Sequence, residues 1–113
     1  MRKLPQSMRK GFSEFCVLIV VGRAENYGYA ILSQLRTFEA LTFSESTLYP
    51  MLSKMKTEGL LRVREATSKS GRPRRYYRLT RNGSARLSDM TTQWADLKDG
   101  IDGLMADGEN IDG

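Results

Sequence analysis

The stretch Leu60-Leu-Arg-Val-Arg-Glu-Ala-Thr-Ser-Lys-Ser-Gly-Arg-Pro-Arg-Arg-Tyr-Tyr-Arg-Leu-Thr80 decides how this chain folds. Apolar and polar residues alternate on either side of a turn-rich centre, which predicts two strands, Leu60 to Ala66 and Arg74 to Leu79. Thr67 to Pro73 is the hairpin tip. Lys69, Arg72, Arg74 and Arg75 crown it, and like charges this close repel, so the tip is poorly explained as a device for stability. Gly71 allows such a turn to pass close to a phosphate or into a minor groove.

Upstream of the hairpin the periodicity is helical. Residues from about Met8 to Ala24 read as a first helix, with Phe12, Phe15, Cys16, Ile19 and Val20 on one wide face. Glu25 to Gly28 is a break, and a second helix covers Tyr29 to about Phe38. Its opening Tyr27-Gly-Tyr29 reads first as packing, although tyrosine hydroxyls there are able to reach a phosphate. Leu41 to Phe43 is expected as a very short strand. Ser44 then has the character of an N-cap, with Glu45 suited to the positive end of the helix dipole. Leu48, Met51, Leu52 and Met55 form the buried stripe of this third helix, and Gly59 ends it. Pro50 forfeits one backbone bond to Ser46, which predicts a tightened or bent N-terminal part.

Downstream, Thr80 is placed to cap a last helix running to about Met105. Leu87, Met90, Trp94, Leu97, Ile101 and Leu104 recur at alternating intervals of three and four, the seam of a helix that packs along another helix. Gly100 and Gly103 weaken its far end. The expected layout is a flexible segment over 1–7, a three-helix and hairpin unit over 8–79, a dimerisation helix over 80–106 and an acidic, disordered tail over 107–113. The fold class is therefore mainly α with a small β-hairpin wing, a winged helix-turn-helix plus one C-terminal dimerisation helix.

Charge and composition narrow the chemistry. The chain of 113 residues carries a net charge of +5. The excess is local: residues 60–86 hold nine basic side chains against Glu65 alone, whereas residues 87–113 hold seven acidic ones against Lys98. A polyanionic partner would meet the hairpin and repel the tail. There is no histidine, which removes the usual general base and the commonest metal ligand. No metal-ligand cluster and no phosphate-cradling glycine loop appears, so the expectation is no enzyme, no cofactor and no metal. Cys16 lies among apolar neighbours and reads as a buried structural thiol. The apolar run from Phe15 to Val21 is too short to span a bilayer, and a cytoplasmic protein with no membrane partner is expected.

If the stripe of the third helix faces the core, then Ser46, Thr47, Tyr49, Ser53, Lys54 and Lys56 face away. Small hydroxyls at an exposed helix start suit base edges and phosphates, with lysines a turn or two later to neutralise the backbone. An ordinary amphipathic surface helix would show the same pattern. The competing function is a protein-interaction module whose basic wing meets an acidic protein surface instead of DNA.

With these residues in view the sequence resembles the PadR family of bacterial transcription regulators. Tyr27-Gly-Tyr-Ala-Ile31, Ser46-Thr-Leu-Tyr-Pro50, Leu52 through Glu58-Gly-Leu60 and Gly71-Arg-Pro-Arg-Arg-Tyr-Tyr-Arg-Leu-Thr80 carry the resemblance. It runs from about Phe12 through Met105 and is similar to the short branch of the family, without a second C-terminal domain. The resemblance implies a homodimer made through the last and first helices, with Phe12, Phe15, Leu87, Met90, Trp94, Leu97, Ile101 and Leu104 at its contact. It implies a repressor on a pseudo-palindromic double-stranded DNA operator, often near its own promoter. Contacts would fall to Ser44, Ser46, Thr47, Tyr49 and Lys54, and to Lys69, Ser70, Gly71, Arg72, Arg74 and Arg75 of the wing. Some multidrug-sensing members hold planar aromatic compounds between paired tryptophans of the last helix, and Trp94 stands at the similar place.

Overall fold

The structure, a computed structural model, describes residues 6–41 and 43–110, with side chains placed over 12–41 and 43–108. The chain runs α1 (Gln6–Arg23), β1 (Asn26–Tyr27), α2 (Gly28–Arg36), a single 3₁₀ turn (Glu39–Leu41), α3 (Glu45–Thr57), β2 (Leu61–Thr67), β3 (Pro73–Leu79) and α4 (Arg81–Asn110). Three short helices and a hairpin make the winged helix-turn-helix, and α4 leaves it as a separate arm. The arm is long: 30 residues at ~1.5 Å each give ~45 Å, in a molecule measuring 67 × 33 × 20 Å.

The core is built on α1. Val17, Leu18 and Val21 are buried along with Cys16 and Val20, so this helix is apolar on nearly every side, not on one wide face. The reason is that α2, β3 and α4 all pack on it. Ile31, Leu32 and Leu35 of α2 and Leu48, Leu52 and Met55 of α3 close the same core, with Met51 only partly buried at its edge. Burial raises the pKa of Cys16, which keeps it a neutral thiol and matches its expected structural role.

The sheet has a third strand that periodicity did not locate. β1 pairs antiparallel with β3, Asn26 opposite Tyr77 and Tyr27 opposite Tyr76, giving the order β1-β3-β2. The segment expected as a break is thus the third strand. The expected strand from Leu41 to Phe43 is absent: Leu41 ends the 3₁₀ turn with its N–H on the Phe38 carbonyl (2.8 Å) and Thr42 lies outside the described residues. Phe43 is one of the most buried side chains and acts as a core plug.

Caps fix where α3 starts and stops. Ser44 adopts extended φ and ψ, and its Oγ accepts the Thr47 N–H at 3.2 Å. At the other end Gly59 takes φ +79°, the Gly59 N–H donates to the Lys56 carbonyl and the Leu60 N–H to that of Met55. That pair of bonds is a Schellman closure, which a left-handed residue at this position makes available. The helix is continuous through Pro50.

The chain then ties α3 to α4. Thr80 Oγ1 donates to the Gly59 carbonyl (2.5 Å) and accepts the Gly83 N–H (2.9 Å), while the Thr80 N–H donates to the Leu60 carbonyl (3.1 Å). Gly83 lies so close to the Leu60 backbone that a Cβ would collide with its carbonyl. Thr80 therefore caps α4 as expected. α4 starts at Arg81 and continues to Asn110, past the expected end near Met105, so that Asp107 to Asn110 are helical and only 111–113 lie outside the described residues. α1 likewise begins at Gln6, inside the segment expected to be flexible, while residues 1–5 lie outside the described ones. Among the described residues nothing lies within 4 Å of where a Cβ would stand at Gly100 or Gly103, so their cost of ~1 kcal/mol each against alanine is not offset by packing within the chain.

Candidate nucleic-acid interface

At the start of α3 the hydroxyls are engaged with one another. Ser44 Oγ donates to Thr47 Oγ1 (3.0 Å) and lies 2.9 Å from Ser46 Oγ. Ser44 is thereby committed to capping, Thr47 is half-buried, and Ser46 is exposed. Lys54 and Lys56 are exposed in the last turn, with no acidic partner among the described residues.

The wing closes through a three-residue loop, Lys69-Ser70-Gly71. The Gly71 N–H donates to the Ser68 carbonyl (2.9 Å) and the Ser68 N–H to the Arg72 carbonyl (2.8 Å). Gly71 has φ +84°, the left-handed conformation this loop needs at its last position. Ser68 and Ser70 hydroxyls bond at 2.8 Å and stiffen the tip. Lys69 and Arg72 stand out from it with no ion-pair partner among the described residues.

The other two wing cations are held nearer the body. Arg74 lies over the Tyr27 ring, its Cζ 4.2 Å from the centroid, and is half-buried. Arg75 pairs loosely with Glu65 across the hairpin at 3.7 Å. On the far strand Arg64 is taken by Glu25 in a bidentate pair (Nε to Oε2 3.0 Å, Nη2 to Oε1 2.6 Å) and also stacks on Tyr76. The Arg64 hydrogen bonds hold the Glu25 carboxyl below its ordinary pKa. The hairpin cations thus divide into a free tip and an anchored base.

Between the wing base, α3 and the start of α2 lies an open cavity of about 530 Å³. Tyr27, Tyr29, Tyr49, Ser53, Arg74 and Arg75 line it. Tyr49 is turned toward α2: a Cβ on Gly28 would come within 2.5 Å of its ring. Burial of that ring raises the Tyr49 pKa, with nearby Glu45 adding to the effect. Tyr27 of β1, Tyr29 of α2 and Ser53 were not among the site residues expected from sequence, although Tyr27-Gly-Tyr29 gave the signal.

The helical seam splits in two. Leu87 and Met90 are partly buried against the chain's own core, and Leu87 closes over Gly22 of α1. Arg86 holds Glu14 of α1 at 3.0 Å. Trp94 meets Phe12 edge to face, centroids 5.5 Å apart, yet remains 41% exposed. Leu97, Ile101, Leu104 and Met105 continue along α4 as exposed apolar side chains, and Phe15 is buried.

Fold and site together define a winged helix-turn-helix protein with a basic face and an apolar arm. The chain belongs to the PadR-like family of transcriptional regulators, whose family model matches residues 17–89. It is similar to a PadR-like transcriptional regulator of Bacillus cereus at 29% identity (TM-score 0.81, covering 88% of this chain and 97% of that one). A Streptococcus transcriptional regulator matches at 33% identity (TM-score 0.80, 89% and 99%). PadR of Bacillus subtilis, solved in complex with operator DNA, matches at 25% identity (TM-score 0.63, 70% of this chain and 46% of that one). Membership places the chain among DNA-binding regulators and not among enzymes. No helix among the described residues is long and apolar enough to cross a membrane.

Proposed function

We propose that two copies of this chain pair through α4 and α1 and repress transcription by covering a pseudo-palindromic operator. One observation carries the reading: the outer face of α3, the start of α2 and the base of the wing converge on a single basic cavity. In the pair, the two α3 helices enter successive major grooves about one helical turn (~34 Å) apart. Ser46 and Thr47 read base edges at the open end of α3, Ser44 orders that end, and Lys54 meets backbone. Lys69, Ser70, Gly71 and Arg72 bring the wing tip to the flanking phosphates. The operator complex of the Bacillus subtilis relative favours this arrangement over a wing that docks on an acidic protein.

The exposed stripe from Trp94 to Leu104 supports pairing, since a soluble monomer rarely leaves such a contiguous apolar run open. The half-open indole of Trp94, with the Phe12 ring set perpendicular to it, suits a planar aromatic effector whose binding shifts the pair away from its DNA-bound geometry. Selection of bound DNA from a random pool tests the reading as a whole. An enriched inverted repeat is expected, and a pool that stays unenriched would refute it.

A further inference from the structure

The cavity beneath the wing has a composition that α3 alone does not explain. Arg74 and Arg75 supply charge, Tyr27, Tyr29, Tyr49 and Ser53 supply hydroxyls, and no carboxylate among the described residues lines it. The first turn of α2 opens beside it at Gly28, and Tyr27, its N-cap residue, makes no side-chain cap bond. Arginine, tyrosine and serine side chains with backbone N–H groups are the donors that meet phosphate oxygens in nucleic-acid complexes. At about 530 Å³ the cavity also has far more room than one phosphate group fills, and it is open to solvent. A sugar-phosphate chain passing through it fits better than an isolated ion.

We propose that this cavity is a phosphate-ester site that grips one DNA backbone phosphate per protomer, and that Tyr49 is a backbone anchor, not a base reader. The proposal deepens the operator-binding reading and rests on it. Stacking on Tyr27 fixes the Arg74 guanidinium, so little side-chain freedom is lost when it meets the phosphate. Gly28 is the positioning residue. Its missing side chain is the space that the Tyr49 ring occupies, and a methyl group there, 2.5 Å from that ring, displaces it. The site thus clamps α3 by its middle, through Tyr49 and Ser53, and leaves Ser46 and Thr47 at the helix start for base edges.

The test compares the wild type with Tyr49→Phe, Arg74→Ala, Gly28→Ala and the pair Gly28→Ala with Tyr49→Ala. Affinities are measured on a selected operator and on random-sequence duplex, with urea midpoints confirming that each variant folds. Tyr49→Phe and Arg74→Ala should each weaken both DNAs by the same factor, about tenfold. Only Arg74→Ala should also flatten the salt dependence, by ~0.9 per protomer. Gly28→Ala should weaken binding in the wild type and add nothing once Tyr49 is alanine. A Tyr49→Phe variant that alters preference among operator sequences, or binds both DNAs as the wild type does, overturns the proposal while leaving operator binding intact.

Titration of the free protein with phenyl phosphate, followed by amide NMR at Gly28 and Tyr29, separates the source of the phosphate. Saturable shifts that Arg74→Ala abolishes, in a wild type that binds no DNA, would refute the operator reading. They would assign the cavity to a small phosphorylated molecule. Absence of shifts together with DNA affinities insensitive to Tyr49 and Arg74 would remove the site.

Discussion

Lys69→Ala with Arg72→Ala is the perturbation that isolates the wing tip. Both side chains are exposed at a wing tip fixed by Gly71 and by two backbone bonds, and neither has an acidic partner among the described residues. Their loss therefore leaves the hairpin geometry in place and removes only charge. If each cation neutralises one phosphate, a dimer loses four contacts. At a slope of ~0.9 per phosphate, the dependence of log K on log salt flattens by ~3.6. Between 50 and 200 mM salt the wild type should then lose ~2 decades more affinity than the variant. Fluorescence anisotropy of a labelled operator across that range reads the slope directly, and a random duplex should show the same change. A slope altered by less than about one unit would mean that the tip does not meet phosphates.

Three further outcomes follow from named contacts. Leu97→Asp with Ile101→Asp places charge in the exposed stripe of α4 and should yield a folded monomer by analytical ultracentrifugation; an unchanged dimer would move the contact elsewhere. Gly59→Ala forces a Cβ into φ +79° at the end of α3 and should cost about 1–2 kcal/mol in urea unfolding, whereas an unaffected midpoint would show that the closure relaxes. Arg64 lowers the Glu25 pKa, so the pair stabilises the fold above the ordinary carboxylate pKa and loses that contribution as pH falls through the depressed value. Glu25→Gln should accordingly flatten the acid limb of stability below about pH 4.5, and superimposable limbs would argue against the pair.

Much of this architecture was legible because it is written in local pattern. The cap at Ser44, the glycine at the end of α3, the turn at Gly71 and the cap at Thr80 each follow from one side chain and its immediate backbone. What escaped was non-local. A two-residue strand has no period to detect, and Asn26 and Tyr27 become one only because β3 lies alongside. The same distance in sequence hid the cavity: the Arg74 guanidinium lies on the Tyr27 ring in space, but the two residues are 47 positions apart in the chain. Tyr49 faces outward from the core stripe, as its spacing predicts, but the space left by Gly28 turns it toward α2.

The heptad of α4 illustrates a different limit. Its six apolar positions are equivalent in sequence, yet Leu87 and Met90 are absorbed by the chain's own core and the free seam begins at Trp94. From Trp94 to Leu104 that seam is only ~15 Å long, too short to hold two helices together as an isolated coiled coil. Any pairing through it has to recruit α1, and the perpendicular contact of Phe12 with Trp94 is where α1 meets the start of that seam. This requirement bears on DNA. The first turn of α4 is fastened to Gly59 and Leu60 through Thr80 and Gly83, and Gly59 is also the residue that ends α3. In the proposed dimer the arm and the reading helix therefore share one joint, so whatever rotates the Trp94 seam also resets the distance between the two α3 helices. An effector at Trp94 needs no further route to the operator.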